Sequence, residues 1–235
     1  MRQILARIAH SSTSLERIMY AFLACVYWST NRRLTSDHLR SAGIPKLQIG
    51  CGSYVLPGWL NADVRSQRDV LSVDATKRLP FPNASFRFVF SEHMIEHITY
   101  AQGYRMLNEI FRVLTSGGRI RIATPDMAFL VRLYREDSSE SHRQYVEWAA
   151  ARFCEGQPAT PVSVINNFFH NWGHQYIYDF PTLSTTLYEI GFRNVVRYAP
   201  GESDEPSLRD LESHGKEVGE HFNQLETVVV EAEKP

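Results

Sequence analysis

Three things are scarce in this chain, and each scarcity removes a class of function. Cysteine occurs three times in 235 residues, at Cys25, Cys51 and Cys154. An odd, widely spaced set builds neither a disulfide framework nor a zinc ribbon, so the thiols read as reduced and the compartment as cytoplasmic. Net charge is almost absent: 25 basic against 26 acidic residues give −1. Without a broad positive field, no nucleic-acid partner is expected. Long apolar runs are missing too. The longest, Ile18 to Trp28 after basic Arg2, Arg7 and Arg17, is eleven residues, too short to span a bilayer as a helix and without a small-residue cleavage site. Leu15, Ile18, Met19, Phe22, Leu23 and Val26 fall at helical spacing, which predicts an added helix within an N-terminal extension, 1–44. Its apolar face packs on the domain or on a second subunit as a homodimer. Peripheral contact with the inner face of a membrane is the open alternative. There is no internal repeat and no low-complexity tract.

What is present begins at Lys46. Leu47 and Ile49 alternate into a buried strand that ends in Gly50-Cys51-Gly52, where missing Cβ atoms let backbone N–H groups approach a polar ligand. Asp63, at the end of the next strand, lies eleven residues beyond Gly52 and is placed to accept both hydroxyls of a ribose. Asp74 follows, and then Phe86 to Phe90 form an apolar strand ending at Ser91. Taken singly, the two acids also suit strand-end turns. In this order they describe a nucleoside site.

On these residues, strongly from Pro45 to Pro125 and more loosely through Gly191-Phe192 and Thr227 to Glu233, the chain resembles the class I S-adenosylmethionine-dependent methyltransferases. It is most similar to the methyltransferase-11-like branch often found in polysaccharide-biosynthesis clusters. The resemblance implies a Rossmann-like seven-stranded α/β sheet, mostly parallel with the last strand antiparallel, and helices on both faces. One domain over 45–235 would carry a substrate-pocket insertion at about 127–182. Gly50, Cys51 and Gly52 would pass under the methionine of S-adenosyl-L-methionine, Asp63 would hold the ribose, Asp74 with Ala75 would face the adenine, and Ser91 would lie beside the sulfonium. Two positions depart from the pattern: Gln48 stands where an acid is usual, and Tyr54 where a third glycine is.

The elements beyond Ser91 read as a helix Tyr100–Leu114 stopped by Ser116-Gly117-Gly118, a strand Arg119–Thr124, and largely helical chain from Met127 to Gln157. A helix Leu183–Ile190, a strand Val195–Tyr198, a helix between Pro206 and Phe222 and a closing strand from Thr227 complete the domain.

Two clusters carry candidate chemistry. His93, Glu96 and His97, three and four residues apart, share a face if a helical turn begins there. This is similar to a Glu-x-x-Glu-His pattern that binds a divalent metal ion in the ubiquinone-pathway and small-RNA 2′-O-methyltransferases, with His93 in place of the first glutamate. His170 could complete such a set. The alternative is that Glu96 and His97 only order the loop. The second cluster runs from Asn166 to Asp179 and mixes amides, imidazoles and aromatic rings, a lining suited to carbohydrate. There His174 is the preferred general base, with Asp179 orienting it, and His93 the other candidate. The expected reaction is O-methylation of a hydroxyl on a saccharide or a glycan or glycolipid intermediate. A small aromatic or polyketide-like acceptor, or a non-catalytic cofactor-binding partner domain, is the alternative.

Overall fold

A computed structural model describes residues 32–64, 69–135 and 139–235. The apolar face expected between Leu15 and Val26, and Cys25, lie outside the described residues. Residues 32–41 form a helix, α1, whose Leu34 and Leu39 pack on the main core. Among the described residues no helix is long and apolar enough to cross a membrane.

Seven strands make one sheet: β1 (Lys46–Ile49), β2 (Leu60–Asp63), β3 (Leu71–Ser72), β4 (Phe86–Glu92), β5 (Leu114–Pro125), β6 (Arg193–Tyr198) and β7 (Thr227–Glu233). Their order is β3-β2-β1-β4-β5-β7-β6. The strands from β3 to β5 are parallel neighbours, while β7 runs antiparallel to both β5 and β6. Strand order reverses on either side of β1 and β4, so the crevice lies at their carboxyl ends. Because β7 is antiparallel, its first residue, Thr227, pairs with Pro125 and brings the preceding chain to that same edge.

Helix α2 (Tyr100–Val113) starts from a capping box between Thr99 and Gln102 and buries Met106, Leu107 and Ile110 against the sheet. It ends earlier than its glycines suggest. Leu114 is already extended, and while β4 advances from Phe86 to Phe88, β5 advances from Leu114 to Arg119. Residues 115–118 therefore bulge out, with Gly117 at φ 71°, and the glycines serve a strand bulge rather than a helix stop.

The expected helical stretch after Met127 is three helices, α3 (Met127–Leu133), α4 (Glu140–Phe153) and α5 (Pro161–His170). They enclose a separate core of Phe129, Leu133, Tyr145, Ala149, Val164 and Phe168, which holds this region as a wall over the crevice. Helix α6 (Phe180–Ile190) is capped by Asp179 and ended by Gly191 at φ 119°. Two short helices, α7 (Gly215–Val218) and α8 (Glu220–Glu226), lead into β7.

The opposite sheet face packs Phe88, Phe90 and Trp59 under Leu208. Beside them one of the two alternating charges of β5, Arg121, is buried rather than solvated, while Arg119 is partly exposed. Arg121 is fully buried and pairs at 2.6 Å with both Glu212 and its cross-strand neighbour Glu231. Removing one partner of such a buried set typically costs about 3–5 kcal/mol, which fastens the 199–212 loop to the sheet.

Candidate active site

The glycine turn and the first acid form one unit. Gly50 and Gly52 take φ 74° and 51°, a region closed to most residues. A Cβ at Gly50 would overlap Met94 Cγ and lie 2.7 Å from Met94 Cβ. The Gly50 and Cys51 N–H groups donate to Ala62 O, and the Gly52 N–H donates to Asp63 Oδ2 at 2.9 Å. Cys51 is buried, and burial with the nearby Asp63 charge pushes its thiol up to about 11. It is an inert packing group whose backbone shapes the turn.

Asp63, Asp74 and Ala75 line one cavity of about 590 Å³ with Gly50 and Gly52, and His93, Met94, His97 and Trp172 close its other side. Asp74 Oδ1 accepts from the Thr76 N–H at 3.0 Å, so it shapes a turn and faces the cavity at once. Ser91 sits elsewhere than expected. Strand β4 continues to Glu92, which leaves Ser91 buried inside the sheet and puts His93, with φ 44°, at the mouth.

His93, Glu96 and His97 do converge, around a short turn Ile95–His97. Glu96 is fully buried, and its Oε2 accepts from Thr124 Oγ1 at 3.0 Å. Its Oε1 lies 3.2 Å from His93 Nδ1 as an ion pair, off the angle of an aligned hydrogen bond. Burial pulls the His93 imidazole down, but contact with Glu96 and the charges of Glu226 and Glu92 outweigh it and hold His93 above its ordinary range. Glu96 is held below its usual range, because contact with His93 overcomes the upward push of burial.

A second cavity of about 290 Å³ adjoins the first through His93, His97 and Trp172. His174 stands in it, half-buried, with Nδ1 2.8 Å from Phe168 O. A carbonyl only accepts, so Nδ1 carries the hydrogen and Nε2 is left as an acceptor. Burial lowers the affinity of His174 for a second proton. Asp179 is not its partner. That carboxylate caps α6 by accepting the Thr182 N–H at 2.8 Å, and the Phe168 carbonyl orients the imidazole instead. His170 is exposed at the end of α5 and outside the cavity.

The cavity also contains residues that local motifs did not reveal: Tyr145, Arg152, His214, Glu217 and Glu226. Glu226 is buried, with Oε1 2.6 Å from His214 Nε2 and Oε2 accepting the Tyr145 hydroxyl. The His214 ring stacks on His93 with centroids 3.8 Å apart. Glu226 immediately precedes Thr227, so an antiparallel last strand was itself the signal that it would reach the crevice.

Glu96, His97 and His174 offer one donor atom each, all within 4.8 Å of one another. Two imidazoles and a carboxylate suit a transition ion better than magnesium. The fit is opposed by His93, whose proton affinity is raised beside the same carboxylate and which therefore competes with a metal ion for Glu96. The metal set read from sequence, His93, Glu96, His97 and His170, is not assembled, because His170 lies outside the cavity and His174 takes its place beside Glu96 and His97.

Residues 59–122 match the family described as a methyltransferase domain, a span that includes Asp63, Asp74 and the His93–His97 turn. No curated protein matches the chain in sequence. Among solved structures, a SAM-dependent methyltransferase from Archaeoglobus fulgidus is 18% identical over 88% of this chain and 94% of its own, with a TM-score of 0.50. An S-adenosylmethionine-dependent methyltransferase from Mesorhizobium loti is 16% identical over 83% and 95%, TM-score 0.47. Phosphoethanolamine N-methyltransferase 2 of Haemonchus contortus, in complex with S-adenosyl-L-methionine, is 17% identical over 88% and 53%, TM-score 0.44. The chain thus spans about half the length of the Haemonchus protein. Residues 59–122 therefore carry a match to a methyltransferase domain, and the likeness to the Archaeoglobus protein shows that the seven-stranded sheet has the fold of the SAM-dependent methyltransferases.

Proposed function

We propose that this chain O-methylates a hydroxyl of a saccharide, either a glycan end or a glycolipid intermediate. The observation that carries the reading is His174: a neutral imidazole, its Nδ1–H tied to the Phe168 carbonyl and its Nε2 open as an acceptor, in a cavity that meets the cofactor cavity at His93, His97 and Trp172.

The bound cofactor supplies a methyl group on a sulfonium, which leaves as a neutral thioether. Asp63 and Asp74 set the adenosine end, one by accepting ribose hydroxyls and the other the adenine amine. The acceptor hydroxyl approaches from the second cavity, and holding it in line supplies much of the rate. As the C–O bond forms, the hydroxyl proton passes to His174 Nε2. A saccharide suits the lining: imidazoles and carboxylates pair with hydroxyls, while Trp172, 47% exposed, and Phe153 present aromatic surface to C–H faces.

The test is a methyl-transfer screen against mono- and oligosaccharides, reading S-adenosylhomocysteine release. Turnover with phenolic acceptors and none with saccharides would move the acceptor to the aromatic class. Cofactor binding without turnover on any acceptor would favour a non-catalytic partner domain.

A further inference from the structure

A third cavity, about 230 Å³, continues from the cofactor cavity around the glycine turn, sharing Gly50, Gly52, Ser53 and His93 with it. Its opposite wall comes from the segment before β7, through Ser213, His214 and Glu217. Two carboxylates border it, and they are not equivalent. Glu92 accepts from the Ser213 N–H at 2.8 Å, Ser213 Oγ at 2.7 Å and the His214 N–H at 2.9 Å, bonds that fasten the 213–218 segment to the end of β4. The Glu217 side chain is exposed, and among the described residues its one hydrogen bond is from the Tyr54 hydroxyl, at 2.9 Å across 163 residues of sequence. Strand β1 contributes only a neutral amide, Gln48, whose Oε1 accepts from Leu56 N.

S-adenosylmethionine is a nucleoside at one end and an α-amino acid at the other. With its adenosine between Asp63 and Asp74, and the acceptor entering past His97 and Trp172, the glycine-lined cavity is left for the amino-acid end. An ammonium there needs an anion, and Glu92 is already engaged by three donors of the 213–218 segment, whereas Glu217 holds one. We propose that Glu217 receives the cofactor's ammonium group, so that the chain just before β7, not the first strand, supplies the charge that recognises the amino-acid end. The proposal rests on the placement of the adenosine at Asp63 and Asp74.

The test compares two probes by calorimetry: S-adenosylhomocysteine, which carries the amino acid, and 5′-methylthioadenosine, which lacks it. Glu217→Gln is at an exposed site and spares the core. It is expected to weaken S-adenosylhomocysteine about tenfold, the loss of one charge-assisted hydrogen bond, with 5′-methylthioadenosine unchanged. Tyr54→Phe, which removes the brace but keeps the carboxylate, should hold both within about threefold. Undiminished S-adenosylhomocysteine binding by Glu217→Gln overturns the proposal. So does an equal loss for both probes, or an equal loss in Tyr54→Phe, since either makes Glu217 a brace for the turn. If the unaltered protein binds neither probe, the adenosine placement itself fails, which is a different result.

Discussion

Gly52 and Asp63 are joined by a 2.9 Å hydrogen bond from backbone to carboxylate, so the end of β2 and the glycine turn are coupled. Asp63→Ala should therefore weaken S-adenosylhomocysteine binding about tenfold or more. It should also lower stability by about 1 kcal/mol, because the Gly52 N–H loses its acceptor. Calorimetry and a denaturant melt read the two effects. Unchanged affinity would remove the ribose assignment.

His174→Ala should reduce kcat by about 10²–10⁴-fold, the usual contribution of a positioned base, while S-adenosylhomocysteine affinity stays near that of the unaltered protein. Burial holds His174 below its ordinary value of 6.5, so the acid limb of the kcat profile should fall below that pH. A variant with near-normal turnover would exclude His174 as the base.

Chelation separates two uses of the same imidazoles. With His93 drawn to Glu96 and its proton affinity raised there, turnover should survive extended treatment with a strong chelator. Loss of activity restored by zinc or manganese would instead make Glu96, His97 and His174 a metal site.

The His93–Glu96 pair should leave a signature in stability against pH. His93 is raised above 6.5 in the folded protein, so its contribution is complete below 6.5 and fades as pH rises through the higher folded value. Glu96 is depressed below 4.5, so its contribution is complete above 4.5 and fades as pH falls through the lower folded value. Thermal midpoints should thus show their full pair contribution between pH 4.5 and 6.5. Glu96→Gln should flatten that profile, and an identical profile in the variant would show that the pair is not ionised.

Local chemistry was legible where neighbours in sequence are neighbours in space. The glycine turn, Asp63, Asp74 and the His93–His97 turn sit within about fifty residues at the ends of parallel strands, which hydrophobic period located, and the family resemblance then set them at one crevice edge. Pairings were less legible. Asp179 lies five residues from His174, yet its carboxylate is spent on a helix cap, because the first N–H groups of α6 need an acceptor. His170 shares a cluster with His174 in sequence, but α5 turns it outward. Strand β4 runs through Ser91 to Glu92, which takes Ser91 into the sheet, and a strand's end depends on what its neighbours pair with.

From the sequence alone came the α/β architecture, because it depends on hydrophobic period and on short loops, while the resemblance to the class I methyltransferases supplied the expected cofactor and the roles proposed for Asp63 and Asp74. The tertiary structure alone decided the composition of the second cavity. Tyr145, His214, Glu217 and Glu226 meet His93 because β7 inserts antiparallel between β5 and β6 and because the inserted helices close on a core of their own. Those are long-range contacts, and they leave no periodicity in the segments they join.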